Sequence, residues 1–452
     1  LFIGEIFNLY TFLNKSRDAV EYLCNAIDAK PESAGIGKSV FYSLSFRSGI
    51  ADEYVNMISE RGNASGKKAF KEILAFIYQL RGENEKALGV MKEIDAGEKN
   101  GASVYNFGME SFGYRNYGAA SLALKYVVEN YPKAPFYLQA RIYYPKSLEL
   151  SIAPMRESYP GIQLKPDSAS ALKYREVIKA YEETASLFQN SENGNEALLR
   201  IGIIRKEIFF DIPEAEKQFD KIRRSNIYAP SRNGAILNLA EIKMTGENPG
   251  DAEELLLDMI QKNYADSASV KKAHYLLGKG YFYGGNFGKA LEHLNEAAYD
   301  FGNDLSNDAI ELSVLINAAR KDSLSLMEYA GAEKLIEKRE FGKGGEILKK
   351  TALSENFFIA DISRFRYAEI LAKTGLYPEA VKLMEEISSL DNSNYADNAY
   401  FSLGNILFYA VSDLRGSKSS FEKLLASYPN SIYADKAREM INIITNKLEK
   451  IK

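Results

Sequence analysis

Cysteine and histidine are nearly missing from this chain of 452 residues: Cys24 is the one cysteine, and His274 and His293 are the two histidines. One cysteine excludes an internal disulfide and any metal site built on cysteine, and two histidines argue against histidine-based catalysis or ligation. Long hydrophobic runs are absent as well. No stretch of about 18 apolar residues occurs, so nothing reads as a membrane-spanning helix. A strong charge of one sign is also lacking: the net charge is -4 over the whole chain, which gives no reason to expect nucleic acid as a partner. Proline is limited to 12 residues, four of them crowded between 145 and 166. Against these absences, 46% hydrophobic and 26% charged residues are ordinary for a folded soluble protein. The chain opens on Leu1 and not on Met, so a leading segment is expected to be missing. A membrane anchor in that segment stays open, and no signal peptide can be sought.

Length allows either several globular domains or one repeat array, and periodicity decides. In 273–301 the spacing predicts two helices. Leu277, Tyr281, Leu291 and Leu294 recur three or four positions apart and form one apolar stripe per helix. Tyr283-Gly284-Gly285-Asn286 between them is suited to reversing the chain. Gly278 and Ala290 are the small pair at which two antiparallel helices can approach closely. Neither helix could bury its stripe alone, so the unit needs neighbours.

The pattern recurs in phase. Ala75, Tyr78, Ala87 and Met91 carry it from 65 to 94, and Gly108, Tyr117, Ala120, Leu124, Val127 and Pro132 carry it from 104 to 132. Small residues return at Gly202, Ala240 and Gly278, each 38 after the last, although the hairpin after Gly202 has one extra residue at its turn. Phe341–Leu348 echoes Phe287–Leu294, and Asn392–Ala399 differs from Asn430–Ala437 at two of eight positions. Between 145 and 167 the rhythm breaks, because Pro145, Pro154, Pro160 and Pro166 with Gly161 do not suit an ordinary helix pair.

His274, Leu277, Gly278 and Tyr281, then Ala290, Leu294 and Ala297, resemble the tetratricopeptide repeat, W-x2-L-G-x2-Y, then A-x3-F, then P, with His in place of Trp. The resemblance implies an all-α fold, a right-handed α-solenoid of antiparallel helix-turn-helix repeats. The expected organisation is an N-terminal array over 1–144, a proline-rich insertion or hinge over 145–167, and a C-terminal array over 168–452 closed by a capping helix at 436–452.

No catalytic constellation is present: there is no H-E-x-x-H, no G-x-S-x-G and no dinucleotide-binding glycine turn. Gly37-Lys38-Ser39 lacks the earlier glycine of a phosphate loop, since position 32 is Glu32. Glu253 with Glu254 and Glu385 with Glu386 read as solvated helix faces. His274 and Cys24 read as packing residues. No cofactor and no metal are expected. What the resemblance implies instead is a concave face lined by the first helix of each pair, on which Tyr105, Phe112, Tyr275, Phe282, Phe365, Phe401 and Phe408 would form an aromatic row for a protein or peptide partner. Packing between repeats is the competing reading of those rings. A carboxylate clamp of the kind some relatives carry is disfavoured, because Lys279 and Asn405 stand alone.

The expected function is therefore a non-catalytic scaffold for protein interactions. Tyr428-Pro429-Asn430-Ser431-Ile432-Tyr433-Ala434-Asp435 resembles a loop common in bacterial envelope tetratricopeptide proteins, which points to a periplasmic or envelope location, with a cytoplasmic one left open. The alternatives are a helical support domain of a larger peptidoglycan-active enzyme, or a purely structural, self-associating component of an envelope machine.

Overall fold

The helix Ser267–Tyr283 begins where the Asp266 side chain accepts the backbone N–H of Ser269 at 2.9 Å, and it ends at Gly284. Gly285 takes φ 74°, the left-handed conformation that reverses the chain at no steric cost. The Asn286 side chain then accepts the Lys289 N–H at 3.2 Å and starts Phe287–Ala297. The two helices cross where the sequence places its small pair. A methyl group on Gly278 would lie 2.7 Å from Leu294 Cγ and 3.2 Å from the Ala290 carbonyl oxygen. Gly404 plays the same part against the ring of Phe421, at 2.6 Å.

This hairpin is representative of a computed structural model that describes residues 2–13, 15–47, 49–152, 168–227, 230–246, 248–262, 265–299 and 304–451. Among the described residues the chain is all-α, built from helices that pack on their sequence neighbours in antiparallel pairs, with no strand. It divides into two compact units: Leu1–Pro154 with Ser170–Thr184, and Ala185–Lys452 with Met155–Ala169. The first unit contains the pairs Lys68–Leu80 with Asn84–Glu98 and Ala102–Gly113 with Tyr117–Asn130.

Irregularity was expected from Pro145 onward, yet Tyr137–Ile152 runs through that proline as one helix. Proline has no N–H, so the carbonyl of Arg141, four residues earlier, loses its helical partner. The Thr184 hydroxyl replaces it, 2.8 Å from the Arg141 oxygen and 2.9 Å from that of Ala180. The helix therefore belongs to the first unit, as does most of Ser168–Leu187. Pro154, Pro160, Gly161 and Pro166 lie outside the described residues, as does Phe301.

In the second unit the extra residue after Gly202 is absorbed as one π-helical turn, Arg205–Phe209, ending on Phe210 at φ 55°. Leu407–Val411 repeats the device, ending on Ser412 at φ 63°. The stretch where the sequence pattern fades has a different cause. Asp304–Ala319 makes no proper hairpin with Ser323–Glu337; it packs mainly on Phe287–Ala297 and also touches Phe357–Lys373. Ser323–Glu337 instead pairs with Phe341–Thr351 and also takes a place beside Ser267–Tyr283. One odd helix thus interrupts the two-helix rhythm. The last helix, Ala434–Ile451, starts two residues before the expected cap and buries Ala437, Met440 and Ile444.

Candidate ligand groove

The seven predicted rings divide by exposure. Tyr105, Phe112, Tyr275 and Phe408 are half-buried, whereas Phe282, Phe365 and Phe401 are buried. Tyr105 and Phe112 sit in the first unit and the other five in the second. Three of the rings are stacked on a ring that opens a later helix: Tyr105 on Phe136 with centroids 4.6 Å apart, Phe365 on Tyr395 at 5.1 Å, and Phe401 on Tyr433 at 4.5 Å. Phe112 meets Tyr143 edge-on at 5.0 Å, Phe282 lies against Phe287 and Tyr329, and Lys447 caps Phe408 at 4.4 Å. Packing between repeats therefore occupies most of the row. Tyr275 alone of the seven has no ring partner among the described residues.

Sequence reasoning missed why the downstream rings are where they are. The Ser393 hydroxyl donates to the buried Asp361 carboxylate at 2.7 Å and the Asn394 N–H at 2.8 Å, which sets Tyr395 over Phe365. Ser431 donates to Asp397 at 2.7 Å and sets Tyr433 over Phe401 in the same way. The Asn-Ser-x-Tyr-Ala-Asp loop is thus a latch between repeats. The duplication of this loop at 392–399 and 430–437 is the trace of the latch in the sequence, but duplication alone marks a repeat and does not show a contact with the preceding helix.

Around Tyr275 the second unit encloses a cavity of about 420 Å³, into which Phe282 and Phe365 also project, along with Tyr283, Tyr329 and Tyr395. Its lining carries five carboxylates, Asp308, Glu311, Glu333, Glu337 and Glu369, and two basic side chains, Lys279 and Arg366, with Lys373 close enough to Glu369, Glu333 and Glu337 to interact with them. Arg366 holds Glu333 with two parallel bonds of 2.9 Å, from Nε and Nη2, and reaches Glu369 with Nη1. Burial works to raise the Glu333 carboxyl, but the charge and hydrogen bonds of Arg366 outweigh it and hold it below the ordinary glutamate value. Lys279 pairs with Glu337 at 3.1 Å, and the Tyr395 hydroxyl donates to Glu311 at 3.2 Å. Burial, then the charges of Asp308, Glu337 and Glu311, push the Tyr275 hydroxyl above the usual tyrosine range.

A second cavity of about 570 Å³ shares Glu337 and Arg366 as a wall. There Lys206 is bound to Glu241 and Asn238, both at 2.6 Å, and the Arg339 guanidinium lies 3.3 Å from the centre of the Phe210 ring. Burial lowers the Lys373 ammonium in this cavity.

The remaining motifs resolve into packing. Gly37-Lys38-Ser39 lies inside the helix Ala34–Arg47, with Lys38 paired to Glu110 at 2.6 Å. Cys24 is buried, which pushes its thiol up to about 11. His274 sits between helices as expected, and its partner is the other histidine: the Nδ1 atoms of His274 and His293 are 3.0 Å apart. Nothing in the sequence spacing marked His293 as that partner. Among the described residues no group of three or more His, Cys, Asp or Glu could hold a metal ion, and no helix is long and apolar enough to cross a membrane.

Paired helices, close crossings at Gly108, Gly202, Gly278 and Gly404, and stacking between successive pairs define a tetratricopeptide-like repeat protein. No family model matches the sequence, and no curated protein does. Solved structures similar in helical arrangement include yeast Tom70, at 14% identity over 93% of this chain and 97% of that one, with a TM-score of 0.28. The tetratricopeptide domain of P58(IPK) is 14% identical over 89% of this chain and 99% of its own, with a TM-score of 0.24. A human IFIT1 dimer with m7Gppp-AAAA is 14% identical over 90% and 89%, with a TM-score of 0.32. Scores this low carry no argument about function, and the class rests on the geometry of the hairpins.

Proposed function

We propose that this protein is a non-catalytic interaction scaffold that binds an extended peptide segment of a partner protein in the Tyr275 cavity of its second unit. The observation that carries the reading is the convergence of Tyr275, Phe282, Tyr283, Tyr329, Phe365 and Tyr395 from several helices on one cavity of about 420 Å³. Aromatic side chains bring large contact area at small entropic cost, which suits recognition of a chain that must be ordered on binding. The excess of carboxylates there disfavours the phosphates of nucleic acid. An envelope location belongs to the same reading and is supported by the loop likeness alone; fractionation of the native cells tests it.

Peptide display against the immobilised chain tests the binding. Selected peptides should bind in solution and weaken by about tenfold or more when Tyr275 is replaced by Ala, as expected for an aromatic anchor. Peptides that bind the Tyr275→Ala chain equally well would place the site elsewhere.

A further inference from the structure

The tyrosine hydroxyls that line the Tyr275 cavity are not alike. Two are bound to carboxylates of its wall, Tyr395 to Glu311 at 3.2 Å and Tyr329 to Glu333. Those two serve the fold. Tyr283, the last residue of Ser267–Tyr283, is not held in this way: its ring lies against Phe282 and 5.8 Å from the Lys279 ammonium, but its hydroxyl has no hydrogen-bond partner among the described residues. The carboxylates that act on it are already engaged, Glu333 by Arg366 and Glu337 by Lys279. Burial, then the charges of Glu337 and Glu333, push the phenol well above the usual tyrosine range against the opposing charge of Arg366, so it stays a donor at neutral pH. A partly buried donor without an acceptor costs free energy in the unliganded protein. Ligand cavities place a few such polar groups among apolar walls to fix orientation. Glu333 and Glu337 also limit what can arrive, because a further carboxylate beside them would be repelled and a neutral carbonyl oxygen would not.

We propose that the Tyr283 hydroxyl holds the bound peptide, donating a hydrogen bond to one of its amide carbonyl oxygens. The inference rests on the docking reading given above. Amide carbonyls belong to the main chain at every residue and to Asn and Gln side chains, and the two sources are equivalent as acceptors. An extended segment cannot satisfy its own main-chain groups as a helix does, so each carbonyl it buries needs a donor from the wall. Tyr283 supplies one.

The first arm of the test needs no peptide. Tyr283→Phe should leave the thermal midpoint of the whole chain unchanged, because no bond of the free protein is lost, whereas Tyr329→Phe and Tyr395→Phe should each lower it. A fall for Tyr283→Phe equal to theirs would show that its hydroxyl serves the fold, and would overturn the inference. The second arm uses peptides from the display selection that depend on Tyr275. Tyr283→Phe should weaken them by about three- to tenfold in anisotropy titrations, the range of one net hydrogen bond. Replacing the peptide bonds one at a time by esters, whose carbonyls are weaker acceptors, should find one position whose loss in the parent disappears in Tyr283→Phe. The same cancellation at an Asn or Gln replaced by Leu would assign the acceptor to a side-chain amide. Peptides that need Tyr275 but bind the parent and Tyr283→Phe equally, or whose Tyr283-dependent group is a carboxylate, would overturn this inference and leave the docking reading standing. Absence of any peptide that depends on Tyr275 would overturn both.

Discussion

His274 and His293 share one hydrogen bond between Nδ1 atoms 3.0 Å apart, so one ring must donate and the other accept, and the two cannot both be protonated in this arrangement. A second N–H at that contact would face the first across the hairpin. Burial lowers the affinity of both rings for a proton, and the charge of His274 lowers His293 further. Glu296 favours protonation of His274; on His293, Glu292 and Glu253 act in the same sense and Lys289 against it. Tyr281 stacks on His293 with centroids 5.5 Å apart. The unfolded chain therefore binds protons more readily than the folded one. The stabilisation is fully present above the unfolded histidine value of about 6.5 and is lost as pH falls through the lower folded values. Thermal melts from about pH 8 to pH 5 should show the parent losing more than a His274→Leu, His293→Leu double variant. Parallel curves would mean the pair does not titrate on unfolding. At this scale the sequence made the small residues legible, because Gly278 and Ala290 act through size alone. The fate of Tyr275 and Phe365 was not legible, since both occupy the same register and differ only in what lies about 31 residues downstream.

A helix that crosses a proline can be judged only with its neighbour in view. Pro145 reads as a break because the missing N–H is visible in the sequence, while the replacement donor, Thr184, is 39 residues away on a different helix. The π-helical turns after Gly202 and Gly404 are a milder case: the first extra residue was countable, but whether it would lengthen the turn or widen the helix depended on packing. The Pro145 arrangement makes a specific claim. Thr184→Val keeps the shape and removes the hydroxyl, leaving the Arg141 carbonyl without that donor, at an expected cost of about 1–3 kcal/mol. In a Pro145→Ala background the backbone N–H returns and the Arg141 carbonyl regains its helical partner, so the same Thr184→Val change should cost well under half as much. Chemical denaturation of the four chains measures the difference. Equal costs in both backgrounds would show that Thr184 does not serve the proline.

Among the described residues the buried side chains form several clusters and not one core. Within the second unit the buried side chains fall into successive clusters, centred in turn on Phe219, Leu256, Leu294, Met384 and Phe421. This is what phase in the sequence expressed, since each repeat must bury its stripe against the next. The boundary between units was less legible, because Tyr137–Ile152 carries a proline that reads as a break and the allegiance of Ser168–Leu187 is set by contacts such as Thr184 with Arg141. Clusters that lean only on neighbours should respond locally to truncation. Removing Ala434–Ile451 takes Ala437, Met440 and Ile444 away from Phe401, Phe421 and Leu424 and opens that side of the cluster to water. Hydrogen exchange should then accelerate by about tenfold or more in Leu414–Ser427, less in Tyr377–Ser388, and not measurably in Ser267–Tyr283, so that peptide binding at Tyr275 survives. Uniform acceleration across the unit would show that its repeats unfold as one body, and loss of binding without a change in Ser267–Tyr283 would place part of the peptide site on the terminal helices.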